Sequence, residues 1–217
     1  AMASPGTDDL GVVDGLGVRG LVDRGVVDGV GGMSVDEATS VLTALEAAGH
    51  ARHREGRMSG WMLTSDGRAH GEVLLAEELA GLGCRAEVEG AYSRFLEGNQ
   101  GFLGLCTDWQ LRPDPGDLSG EPVMNDHADP AYDEAVIGRL AETDSAIQPV
   151  CAALAALLER FGGYGERFAT ALDRVTGGDL DWFTKPMIES YHTVWFELHE
   201  NLLATLGIQR SKEHASG

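Results

Sequence analysis

The stretch from Ser34 to Thr64, SVDEATSVLTALEAAGHARHREGRMSGWMLT, constrains the fold of this chain more than any other. Ser34 followed three residues later by Glu37 is a capping-box pattern, in which serine and acid satisfy each other's exposed amides at a helix start. Val35, Ala38, Val41, Leu42, Leu45 and Ala48 then recur at helical spacing, and Gly49 stands where such a helix stops. Beyond Gly49 the chain reads as an extended stretch, a reversal at Gly56 to Gly60 and a second short strand, Trp61 to Thr64, which together make a β-hairpin. Thr64 is placed to cap the next helix, TSDGRAHGEVLLAEELAGL.

Upstream, a run from about Asp8 to Asp23 carries Leu10, Val13, Leu16 and Leu21. Gly11, Gly15, Gly17 and Gly20 each weaken it as a helix by about 1 kcal/mol relative to alanine, so packing has to supply what propensity lacks. A shorter stretch, Gly25 to Val30, precedes a turn at Gly31-Gly32. Gly15, Gly17 and Gly20 also spell a GxGxxG, but without a preceding strand or a βαβ unit they make no dinucleotide site.

Helix, short helix, turn, helix, hairpin and exit helix is the order of a winged helix-turn-helix. The segment SVDEATSVLTALEAAGHARHREGRMSGWMLTSDGR resembles the corresponding part of MarR-like and related bacterial winged-helix regulators, with a helix ending in L..L...G, a basic wing and LT..GR. The resemblance covers roughly a third of the chain. It implies a recognition helix at Ser34 to Ala48 lying in a major groove, with the wing on the flanking backbone. The residues it places toward DNA are Ser34, Thr39, Ser40 and Thr43 on the helix and Arg52, Arg54 and Arg57 on the wing. It also implies a homodimer.

Charge runs against that implication. The formal net charge is −19, and residues 1–80 hold six arginines and no lysine against thirteen acids. The recognition-helix segment carries Asp36, Glu37 and Glu46 and no Lys or Arg, although base readout relies on Arg, Lys, Asn or Gln. DNA contact therefore has to come from a local basic patch, and the wing is the one segment that offers it.

Beyond residue 83 the chain predicts a larger helical domain, 84–210, after a winged-helix domain at 8–83. The fold class expected is thus mainly α, with a small hairpin wing. An apolar stripe from Leu74 to Leu96 favours helix, as does Phe102 to Leu111. RPDPGDLSGEPVMNDHADP then interrupts regular structure with a connection long enough to be functional. Tyr132 to Ala141, a second helix opening at Pro149, Gly165 to Val175, and Pro186 to Leu206 are the remaining helices. In the last, Ile188, Tyr191, Trp195, Leu198 and Leu202 form a seam suited to internal packing or to a partner copy.

Two clusters carry candidate chemistry. NDHADPAYD brings together Asn125, Asp126, His127, Asp129, Tyr132 and Asp133, a set able to exchange protons or hold a divalent ion. Helix capping by Asp129-Pro130 is the plainer reading and is weighted above ligation. In SYHTVWFELHENL, His192 and His199 lie two turns apart on one helical face. Buried histidines bonded to a nearby Asp or Glu are the plainer reading and are weighted slightly above a site. With Trp109, Tyr191 and Trp195 they otherwise offer aromatic walls and few polar groups, as small-molecule pockets do. Asp126 and His127 close that pocket, with Asn125 and Tyr132 beside them, if the loop folds over that helix.

No HExxH, GxSxG, P-loop or CxxC occurs, and no metal or cofactor is expected. Cys84, Cys106 and Cys151 read as separate reduced thiols. No apolar run spans a bilayer, and no basic-then-apolar leader stands at the N-terminus, so a cytoplasmic location without membrane contact is expected. The leading functional expectation is a ligand-responsive regulator that binds DNA as a homodimer and a small organic molecule in its helical domain. The alternative is a small-molecule-binding protein or enzyme on the same scaffold, without DNA binding, that uses the His/Asp/aromatic residues.

Overall fold

The computed structural model describes residues 5–19, 34–56, 59–114, 116 and 120–209. They are mainly helical, with two short antiparallel ribbons. Contacts divide the chain into two units, residues 1–88 with 197–217, and residues 89–196.

Unit one opens with helix α1 (Pro5–Arg19), followed by α2 (Val35–Ala47). The expected short helix at 25–30 and the turn at Gly31-Gly32 lie outside the described residues. The capping box forms: the Ser34 amide and hydroxyl both donate to Glu37 Oε2, at 2.9 and 2.7 Å, and Ser34 Oγ accepts from the Glu37 amide at 3.4 Å. At the other end Gly49 adopts φ 79°, a left-handed conformation that glycine enters without steric cost. The Gly49 and His50 amides turn back onto the Glu46 and Leu45 carbonyls, the Schellman arrangement that closes a helix.

That stop feeds β1 (Ala51–Arg54), which pairs antiparallel with β2 (Gly60–Leu63) in the register Ala51↔Leu63, Arg52↔Met62, His53↔Trp61 and Arg54↔Gly60. Side chains alternate across a strand, so Ala51, Trp61 and Leu63 face the core while Arg52 and Arg54 share the opposite face. The core joins Val12, Val13 and Leu16 of α1 to Ala38, Leu42 and Leu45 of α2 and to this inner face. Thr64 then caps α3 (Ser65–Leu82), its hydroxyl accepting from the Gly67 amide at 3.0 Å and donating to the Gly49 carbonyl at 2.7 Å.

Leu74 to Leu96 is not one helix. Gly83, at φ 64°, ends α3, and α4 (Arg85–Gln110) starts two residues later. A short ribbon follows that the sequence does not reveal, β3 (Leu111–Arg112) against β4 (Val123–Met124). The two helices expected around Pro149 are a single one, α5 (Pro130–Leu157), capped by Asp129. Proline inside a helix costs about 3 kcal/mol. Pro149 sits on the exposed side, and Val136, Leu140, Ile147, Val150, Cys151 and Leu154 bury one continuous face that holds the helix together across it.

After a 3-10 turn at Glu159–Phe161 come α6 (Tyr164–Thr176), α7 (Asp181–Thr184) and α8 (Tyr191–Leu206). The last helix starts at Tyr191, not Pro186. Met187 adopts φ 68°, which a helix cannot continue through, and Ser190 Oγ accepts from the Thr193 amide at 3.3 Å as the cap. The expected assignment of the whole C-terminal helix to the second domain also differs from what is observed. From Glu197 onward α8 belongs to unit one, where Asn201 Nδ2 donates to Asp14 Oδ2 at 2.9 Å and Glu197 pairs with Arg19 at 3.3 Å.

Candidate functional site

The residues expected to face DNA fall into two sets. On α2, Ser34 is engaged by Glu37, whose carboxyl that contact holds below the usual carboxylate range. Thr39 and Thr43 donate their hydroxyls to the Val35 and Thr39 carbonyls of their own helix, at 2.7 and 2.8 Å, and Ser40 is exposed. The exposed surface of α2 thus offers acceptors and acids but no cation. Arg52 and Arg54 are both exposed on the outer face of the ribbon, and neither pairs with a carboxylate among the described residues. Arg57 lies outside the described residues.

The NDH loop folds into a compact knot at the start of α5. Asp133, buried, receives Asn125 Nδ2 on Oδ1 at 2.8 Å and His127 Nδ1 on Oδ2 at 3.0 Å. The His127 Nδ1 thus lies between the Asp133 carboxylate and the Asn125 side-chain amide, 3.2 Å away. His127 holds φ 56°, unusual for a residue with a Cβ, and its ring lies 4.5 Å from that of Trp109, which in turn lies tilted against Phe183 at 4.6 Å. Asn125 also donates to the Trp109 carbonyl at 3.2 Å. Tyr132 places its hydroxyl on the Asp108 and Leu111 carbonyls, and burial, then the Asp108 charge, pushes its pKa up. Asp126 points away, exposed, to Arg112 at 2.9 Å.

A second aromatic cluster forms in unit two. The Trp195 ring stacks on Phe102 at 4.3 Å and lies near Phe95 and Phe168, and its Nε1 donates to Asn99 at 2.9 Å. Tyr191 donates to Asp144 at 3.2 Å, and Gln148 reaches the same carboxylate. Burial first, then the Asp144 charge, raises the Tyr191 pKa. His192 is half-buried against Phe102, and desolvation holds it below the ordinary histidine value.

These clusters do not join. Neither Trp109 nor His127 makes a ring contact or hydrogen bond with Tyr191, His192 or Trp195, because Asp133 and Asn125 tie His127 into its own loop. His199 is buried and belongs to unit one. Asp144, Asn99, Phe102 and Phe168 were not foreseen. Asp144 had a signal, since it stands four residues after Leu140 and three before Ile147, an acid on an apolar helical face that needs a buried partner.

Beside the aromatic cluster, α4 and α5 flank a groove of about 590 Å³, whose lining includes Phe102, Ile147, Val150 and Trp195 along with Arg94, Glu97, Arg139 and Glu142. Of the residues expected to bind a small molecule, Trp195 alone lines it. A smaller notch of about 430 Å³ lies where α2 meets the ribbon, lined by Thr43, Glu46, His53 and Trp61.

The three cysteines are buried and unlinked, and burial pushes the Cys106 and Cys151 thiols up to about 12, which removes them as nucleophiles near neutral pH. Among the described residues no three His, Cys, Asp or Glu side chains converge as a metal set, and no helix is long and apolar enough to cross a membrane. No protein-family model, curated protein or solved structure matches the chain.

Proposed function

We propose that the chain is a ligand-responsive regulator that binds double-stranded DNA as a homodimer through a winged helix-turn-helix of MarR-like kind at Ser34–Thr64. One observation carries the reading: a capped helix ends in a left-handed glycine and feeds directly into an antiparallel ribbon whose outer face presents Arg52 and Arg54, neither of them paired with a carboxylate among the described residues. Two exposed guanidinium groups on adjacent same-face positions suit successive phosphates.

The chain's charge of −19 shapes how such binding behaves. Screening limits the repulsion to about 8 Å at physiological salt, so a protruding basic ribbon acts locally. The neutral and acidic surface of α2 leaves base readout weak, and affinity then rests on the backbone. Each neutralised phosphate contributes a slope of about −0.9 in log K against log salt, so Arg52 and Arg54 of two protomers give about −3.6.

The test is fluorescence anisotropy with labelled duplexes from the upstream region of the protein's own gene, between 50 and 200 mM salt (roughly the range over which counterion release is read), with light scattering for the dimer. Micromolar or tighter binding with that slope is expected. Absence of binding at 50 mM salt rejects the reading.

The alternative, a small-molecule-binding protein or enzyme that does not bind DNA, draws on His127, whose ring is held to the buried Asp133 carboxylate through Nδ1 at 3.0 Å. It is favoured if duplex binding is absent while a small molecule binds.

A further inference from the structure

We infer that the notch where α2 meets the ribbon is a binding site for an amino sugar, an amine carried on a polyhydroxylated body. The site lies wholly within unit one. It goes beyond the proposed function and does not rest on duplex binding.

The lining sets the sign of the ligand's charge. Of the side chains around the notch, Thr43, Glu46, His53, Glu55, Ser59 and Trp61, two are carboxylates and none is Lys or Arg. Glu46 Oε1 accepts the His53 backbone amide at 3.3 Å, and among the described residues neither glutamate makes an ion pair. A cation entering the notch of a chain at −19 is favoured over an anion of the same shape.

Acidic side chains alone do not make a site, and Trp61 adds an independent feature. It lines the notch, is 5% exposed, and carries an indole N–H that meets no acceptor among the described residues. His53 faces it across the ribbon with its ring 5.1 Å away. The indole nitrogen only donates, and a buried donor without an acceptor is costly, so this one points to an oxygen brought in by a ligand. The ligand that answers both features has ammonium groups for Glu46 and Glu55 and oxygens for the indole N–H. A polyamine offers the first without the second, and a neutral sugar the second without the first. Ser59 and Thr43 add hydroxyl oxygens that accept from a sugar's own hydroxyls. At about 430 Å³ the notch has room for a ligand of disaccharide dimensions.

The disaccharide of two glucosamine units, cellobiose and spermidine are the probes. The first carries amines and oxygens, the second is its near-isosteric neutral counterpart, and the third is a cation without oxygen. Calorimetric titration of the full chain without DNA is run at about pH 7, where such amines are mainly protonated and carboxylates ionised. It is expected to show sub-millimolar binding of the amino sugar, with cellobiose and spermidine each about tenfold weaker or more. Glu46→Gln with Glu55→Gln keeps the shape and an oxygen for the His53 amide, and is expected to weaken the amino sugar about tenfold. Trp61→Phe removes the N–H but keeps an aromatic ring, and is expected to weaken the amino sugar severalfold while leaving spermidine unchanged. Should that variant unfold, benzothienylalanine at position 61 removes the same N–H without changing the ring's size. No amino-sugar binding at millimolar concentration, or cellobiose or spermidine binding as tightly, overturns the inference. So does full affinity in the double glutamine variant or without the indole N–H. None of these outcomes touches duplex binding, which is measured separately.

Discussion

A Cβ placed on Gly67 would sit 1.8 Å from the carbonyl oxygen of His50. The first turn of α3 therefore passes against the start of β1 at a distance that glycine alone permits, and this contact fixes where the exit helix leaves the ribbon. The neighbouring Thr64 amide donates to the same His50 carbonyl at 3.0 Å, so backbone closes on backbone there.

Gly67→Ala is accordingly expected to destabilise the chain despite the better helix propensity of alanine. The propensity gain is about 1 kcal/mol. The clash is with backbone, which cannot swing aside, and overpacking of this kind costs about 1–3 kcal/mol or more. A thermal midpoint equal to or above that of the parent would contradict the close approach.

Thr64→Val keeps the shape and removes the hydroxyl that joins α3 to the Gly49 carbonyl. Loss of such a cap costs about 0.5–2 kcal/mol. Thr64→Ser is expected to restore most of it, and a denaturant titration of the three proteins separates lost hydrogen bonding from altered packing.

The helix–ribbon unit was readable because its signals are local. Ser34 and Glu37 satisfy each other within one turn, Gly49 stands where a left-handed residue is needed, and Asp129-Pro130 begins α5 by the same short-range chemistry. What escaped depends on distant partners. Pro149 suggested a helix start, and only the continuous buried face of α5 overrides it. The β3–β4 pair is two residues long and leaves no periodicity to read. In the candidate site, the sequence placed His127 and His192 in one pocket on the condition that the NDH loop folds over the last helix, whereas the structure holds them in separate clusters. His127 turns to Asp133 because that carboxylate is buried six residues ahead, and a linear reading could not weigh this against His192.

Asp133 anchors the loop and His127 follows it. Asp133→Ala removes the shorter of the buried contacts of the Asn125 amide, leaving the Trp109 carbonyl at 3.2 Å, and is expected to cost about 1–3 kcal/mol. His127→Ala keeps the Asn125 contact and is expected to cost less than half as much. Equal costs, measured by chemical unfolding, would move the anchor from Asp133 to His127.

His192 makes stability depend on pH. Burial lowers its folded-state pKa below that of the unfolded chain, so the unfolded chain takes up the proton first as pH falls. Stability is full above the ordinary histidine range, near 6.5, and declines below it. His192→Gln is expected to flatten the change in thermal midpoint between about pH 7 and pH 5 relative to the parent. An unchanged pH profile would place His192 in solvent.

The most direct test of the proposed function is charge reversal on the ribbon. Arg52 and Arg54 lie on its outer face, away from the core formed by Ala51, Trp61 and Leu63, so Arg52→Glu with Arg54→Glu is expected to leave the thermal midpoint unchanged. Anisotropy titration of one labelled duplex at low salt should then show affinity reduced about tenfold or more, with a shallower salt slope. A folded double variant that binds the duplex as tightly as the parent, with the same slope, would contradict the assignment of the ribbon as the DNA-binding element.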